Sequence, residues 1–127
     1  MSTLLLCLFI TLILPYLAKA PVAYAMAKFD GYDNHHPRAQ QAQLTGFGAR
    51  ALAAHQNAFE SLLVFSVACL TVIATNNVSE AVVTMAITHV LARVVYHVLY
   101  IADLSSLRSL SWFVAVGCSI GIFWQAL

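Results

Sequence analysis

The chain has 127 residues, of which 61% are hydrophobic and only 9% charged, with a formal net charge of +1 and a mean hydropathy of +0.83. Soluble domains carry about 25% charged residues, so this composition cannot cover a water-facing surface. The near-neutral charge excludes the basic footprint of a nucleic-acid binder, and the length is that of one domain, residues 1–127.

The first apolar run extends from Leu4 to Ala27, and a helix crosses a bilayer in about 20 residues. Pro15 and Pro21 are expected to kink it, as neighbouring helices in a bundle permit. Leu4 to Leu14 followed by Ala18-Lys19-Ala20 also resembles a cleavable signal segment. No Lys or Arg precedes it and apolar residues resume after Pro21, which favours a retained span.

Residues 28–48 form a polar connection with turn formers at Gly31, Asp33, Asn34 and Pro37, and Pro37 suits the first position of a helix. His35-His36 reads as a solvated loop pair rather than a metal site. A second span is expected over Ala49–Ala74, closed by Thr75-Asn76-Asn77. Ser79 as N-cap and Glu80 in the first turn open a third span that ends near Ile101. A tight polar turn at Asp103–Ser106 leads to a fourth, Leu107–Leu127. Such short connections force antiparallel neighbours, so the expected fold is an all-α, up-down four-helix membrane bundle. Cys7, Cys69 and Cys118 each lie alone in an apolar run, without metal-ligand spacing, and read as packing or lipid-facing residues.

Lys28, Arg38 and Arg50 lie in or beside the first connection and Arg108 follows the third, whereas TNNVSE and both ends carry no Lys or Arg. The positive-inside rule then places the first and third connections in the cytoplasm and both termini outside, with the inner or plasma membrane as the site if the source is bacterial. Asn77-Val78-Ser79 has the form of a glycosylation sequon and is read as chance.

The third span carries His89, Arg93, Tyr96 and Tyr100, spacings that fall within roughly 60° of one helix face, with His97 at its edge. Arg93 lies eight residues before Ile101, a depth at which an arginine costs roughly 2.5–3.5 kcal/mol on insertion scales. It should face the bundle and find a partner. The second span offers Arg50, Asn57 and Glu60 on a shared face, with His55 nearly opposite. Glu60 is the expected counter-ion of Arg93, and Asn57 either bridges the two or binds something else. Spacing leaves open whether this stripe is structural glue or a ligand site. The cations Arg50, Arg93 and Arg108 outnumber Glu60 at one end of the bundle, and that surplus suits an anionic small molecule. No nucleophile, metal cluster or glycine-rich phosphate loop is evident.

The segments DNHHPR, LTGFGARALAAHQNAFESLLVF and RVVYHVLYIADLSSLRSLSW together resemble the MAPEG superfamily, membrane-associated proteins in eicosanoid and glutathione metabolism, and are most similar to its small bacterial members. The resemblance implies a homotrimer that binds glutathione between neighbouring subunits. It implies that Asn57 and Glu60 hold the polar ends of the tripeptide, and that Arg93, Tyr96 and Tyr100 line the site. Arg108 and Ser109 would face the sulfur, with Trp112 where an aromatic residue is usual, and Lys28 is a candidate contributor from the first span. The implied reaction uses glutathione's own thiolate to attack a lipophilic electrophile or peroxide arriving from the bilayer, and needs no metal. The alternative is a non-catalytic trimeric membrane protein, or a binder of another anionic lipophile, whose stripe is structural.

Overall fold

The computed structural model describes residues 1–127, the side chain of Asp30 excepted. Its elements are α1 (Ser2–Leu17), α2 (Lys19–Asp30), α3 (Pro37–Ala42), α4 (Gly46–Ala74), α5 (Glu80–Ile101) and α6 (Ser105–Trp124). Four segments are long and apolar enough to cross a membrane: Ser2–Phe29, Gly46–Ala74, Glu80–Ile101 and Ser105–Trp124. The expected all-α, four-span architecture is therefore observed.

The first span is two helices rather than one kinked rod. Pro21 cannot donate to the carbonyl of Leu17, and the break falls at Ala18, which puts Pro21 in the first turn of α2 where its missing N–H costs least. Pro15 stays inside α1. His55 Nδ1, from α4, lies 2.8 Å from the Pro15 carbonyl oxygen and supplies a donor beside the break.

The other ends are set by local chemistry. Ser79 Oγ accepts a hydrogen bond from Val82 N–H at 3.3 Å, the N-cap expected for α5. α4 ends with Asn76 at φ 56°, while Asn77 N–H reaches Val72 O at 3.0 Å. α5 ends the same way, with Asp103 at φ 64° and Leu104 N–H reaching Leu99 O at 3.0 Å. Both are Schellman closures with Asn or Asp in the left-handed position that glycine usually takes. The turn between α5 and α6 is consequently one residue or so earlier than Asp103–Ser106, and α6 begins at Ser105.

α4 touches every other helix, and α5 and α6 share the most extensive interface. The seams are built of small residues: Ala51, Ala54, Ala58 and Ala68 on α4, Ala86 and Ala92 on α5, and Ser111, Ala115 and Ser119 on α6 are buried. Without a hydrophobic drive between helices in lipid, such residues let backbones approach and dispersion contacts accumulate. Leu4, Cys7, Phe65, Cys69, Val72, Val82 and Ile122 fill the core at the far end. Cys7 and Cys69 are thus packing residues, as read from the sequence.

Candidate functional site

The polar residues of α4, α5 and the start of α6 form one connected run. Arg93 is 1% exposed. Its Nη2 donates to Asn57 Oδ1 at 2.8 Å and to Asn57 O at 3.2 Å. Asn57 Nδ2 in turn donates to Glu60 Oε2 at 2.7 Å. Glu60 is thus joined to Arg93 through Asn57, the bridging arrangement expected from the sequence, rather than by a direct ion pair. No such pair exists among the described residues, and Asn57 stands between the two charges. The antiparallel register of α4 and α5 brings Asn57, one turn before Glu60, level with the guanidinium.

On its other side Arg93 lies over the Tyr96 ring, 4.1 Å from the centroid. Tyr96 meets Tyr100 edge to face at 5.5 Å, and the Arg108 guanidinium lies over the Tyr100 ring at 4.4 Å. The order Glu60, Asn57, Arg93, Tyr96, Tyr100, Arg108 sets polar or aromatic groups between its three charges. Each cation rests on an aromatic face, which holds the charge without neutralising it.

Two clefts open along this run. One, of about 260 Å³, is lined by Tyr96, Tyr100, Arg108, Ser109 and Trp112. The other, of about 230 Å³, is lined by Asn57, Glu60, Arg93 and again Trp112. Trp112 belongs to both. Each cleft alone is below the roughly 300–1,000 Å³ of a small-molecule pocket, and Trp112 is the wall they share. Arg93 Nε is a buried donor without a partner among the described residues, a group that ordinarily costs stability unless something accepts from it.

Arg50, expected on the ligand face, lines neither of these two clefts. Its Nε donates to Ile101 O at 3.3 Å and its Nη1 lies 3.6 Å from Asp103 Oδ2. A cation at the carbonyl end of a helix is favoured by both hydrogen bonding and the dipole, so Arg50 caps α5. The same contact puts the first and third connections at one end of the bundle. Lys28 rests on Tyr24, 4.6 Å from the ring centroid, and lines neither cleft.

His89, the deepest member of the stripe, is a strut. Its Nδ1 lies 3.0 Å from Ala115 O and 3.1 Å from Ser119 Oγ, and its Nε2 3.4 Å from Ser61 Oγ. The ring stacks on Phe65 at 4.0 Å. It thereby ties α4, α5 and α6 together at the wall of the second cleft. Ser61 and Ser119 also line that cleft and were missed from sequence. Ser61 lies one turn beyond Asn57, and its spacing is the available signal.

A polytopic helical membrane protein with an arginine-rich, aromatic-lined cleft at one end is what fold and site define. The family model for the MAPEG family matches residues 3–127, and the chain belongs to that family. No curated protein and no solved structure matches it.

Proposed function

We propose that the protein is a membrane-embedded, glutathione-dependent transferase or peroxidase acting on lipophilic electrophiles, assembled as a homotrimer with both termini non-cytoplasmic. The observation that supports this reading is the pair of clefts that share Trp112 as a wall, which gathers Asn57, Glu60, Arg93, Tyr96, Tyr100, Arg108 and Ser109. Their chemistry suits glutathione as co-substrate. The exposed Glu60 carboxylate complements an ammonium, while Arg93, at the wall of the same cleft, supplies positive charge toward a carboxylate. Arg108 and Ser109 are left for the sulfur.

An unperturbed thiol has a pKa of about 8.5, so little is ionised at neutral pH. Arg108 and the Ser109 hydroxyl near the start of α6 would stabilise the thiolate by charge, hydrogen bonding and helix dipole. In the transferase reaction the sulfur lone pair forms an S–C bond as the electrophile's leaving group, or its opened oxygen, takes the electrons. With a hydroperoxide the thiolate attacks the distal oxygen and the O–O bond breaks. An alcohol leaves after protonation, and a second glutathione converts the sulfenic acid to disulfide and water.

A structural role for the deeper stripe is favoured at His89, whose ring nitrogens are engaged within the bundle, and this supports a non-catalytic reading for that residue. Glutathione-dependent thermal stabilisation in detergent separates the readings. A ligand at 100 times its Kd stabilises by about 2.7 kcal/mol, whereas the absence of any shift at millimolar glutathione would reject the proposal.

A further inference from the structure

A separate hollow, of about 200 Å³, lies behind the break in the first span and shares no residue with either cleft. Leu17 and Pro21, on either side of the break, line it together with Ala51 and Ala54 of α4 and His97 of α5. His97 has the one lining side chain able to form a hydrogen bond, the others being Leu, Ile, Ala and Pro. Its Nδ1 lies 2.7 Å from the Arg93 carbonyl oxygen, one turn back on α5. A carbonyl only accepts, so Nδ1 carries the proton and Nε2 of the neutral ring is an acceptor. Nε2 is buried and has no hydrogen-bond partner among the described residues. Turning the ring over would forfeit the bond to Arg93 O.

A second acceptor belongs to the same hollow. Pro21 brings no N–H to the carbonyl of Leu17, four residues back, and a peptide carbonyl inside a membrane bundle needs a donor. Two acceptors around one hollow, with no side-chain donor in its lining, call for a small molecule that donates twice. Water meets that need. Buried waters make about three hydrogen bonds, and as few as two, to groups otherwise unsatisfied. The hollow is larger than the roughly 30 Å³ that a water occupies in the liquid, and its aliphatic remainder offers a bigger polar guest nothing to bond. His97 lies four residues before Ile101, the last of α5. That is roughly 6 Å along the axis, within reach of the interface from which water enters.

We propose that this hollow is a water site, its occupant donating to His97 Nε2 and to the Leu17 carbonyl. The water joins the broken first span to α5, as His55 joins it to α4 at the Pro15 carbonyl. Through His97 Nδ1 the link continues to the backbone of Arg93. The proposal is independent of glutathione binding.

The test is solution NMR of the detergent-purified full chain carrying isotope-labelled histidine, without glutathione, the His97 signals being identified by their loss in His97→Gln. At neutral pH the ring should be the Nδ1–H tautomer, with Nε2 shifted to lower frequency than a pyridine-type nitrogen that accepts nothing. A cross-relaxation peak should link water to Hδ2, the ring proton beside Nε2 and remote from the exchangeable proton on Nδ1. Pro21→Ala supplies an N–H for the Leu17 carbonyl and should cut that peak at least twofold. The tautomer should survive that substitution, because the bond to Arg93 O lies wholly within α5. Three results would overturn the proposal: a bare Nε2 with no water peak at Hδ2; a proton on Nε2 at neutral pH; or a water peak that Pro21→Ala leaves unchanged.

Discussion

Asn57 should be worth more to the fold than Glu60, although Glu60 carries the formal charge. Asn57→Leu removes the carboxamide that accepts from Arg93 at 2.8 Å and leaves a guanidinium that is 1% exposed with one backbone carbonyl. Hydrogen bonds to charged groups contribute about 1.5–3 kcal/mol, and stripping the partner from a buried charge costs about 3–5 kcal/mol. Polar pairs between membrane helices average only about 0.6 kcal/mol, which draws the expectation to about 2–3 kcal/mol. Glu60 is exposed and reaches Asn57 rather than Arg93, so Glu60→Gln should cost no more than about 1 kcal/mol. In double-mutant cycles read by reversible denaturation in micelles, Asn57 and Arg93 should couple by about 1.5 kcal/mol, and Glu60 and Arg93 by less than about 0.5 kcal/mol. A larger coupling for Glu60 than for Asn57 would refute the relay and restore the direct ion pair.

Five further outcomes follow, four from the geometry and the last from the Lys/Arg asymmetry of the sequence. Gly48→Ala would place a Cβ 3.0 Å from Ala25 Cβ and 3.1 Å from Leu44 Cβ and should destabilise by about 1–2 kcal/mol; Gly117→Ala meets open space and should stabilise by up to about 1 kcal/mol, both measured by thermal melting. His55→Leu removes the donor at the Pro15 carbonyl and should cost about 1–2 kcal/mol, with faster amide exchange around Ala18 as its local signature. The His35 and His36 amides hold the Asp33 carboxyl below the usual carboxylate range; because the folded value is the lower one, this support is complete above the unfolded pKa and disappears as pH falls through the folded one. Exchange at those two amides, corrected for intrinsic rates, should therefore accelerate in acid and be fast at all pH in Asp33→Ala. Reporters active only in the cytoplasm should be silent at both termini, and signal at either would invert the assigned orientation.

The spans were legible because apolar length and capping are local properties. Ser79 announced the start of α5, and Asn76 and Asp103 stood where a left-handed residue closes a helix. The division of the first span was only half visible: two prolines predict trouble, but His55 completes the break from 40 residues away. The site was legible as faces, not as contacts. Helical spacing correctly set Asn57, Glu60, Arg93, Tyr96 and Tyr100 to converge, yet the register between α4 and α5 decides which oxygen meets the guanidinium. Arg50 shares a helical face with Asn57, but the turn that places Asp103 and the Ile101 carbonyl beside it is tertiary. Ser61 and Ser119 carry no charge to announce them. Leu17, Pro21 and His97 lie in different elements, and nothing in the linear order says that they border one cavity.

The central claim is that Arg108 holds the sulfur of bound glutathione as thiolate. The direct measurement is the pH dependence of conjugation of glutathione to a hydrophobic electrophile by purified wild type and Arg108→Ala. Wild type should show an apparent thiol pKa at least one unit below the free value of about 8.5. Arg108→Ala should return it toward that value and lose tenfold or more of the neutral-pH rate, since one unit is about 1.4 kcal/mol. Raising the pH should restore part of that loss, and Arg108→Lys should keep part of the rate. Identical pH profiles for wild type and Arg108→Ala, or no conjugation by wild type across the electrophiles tried, would contradict the account.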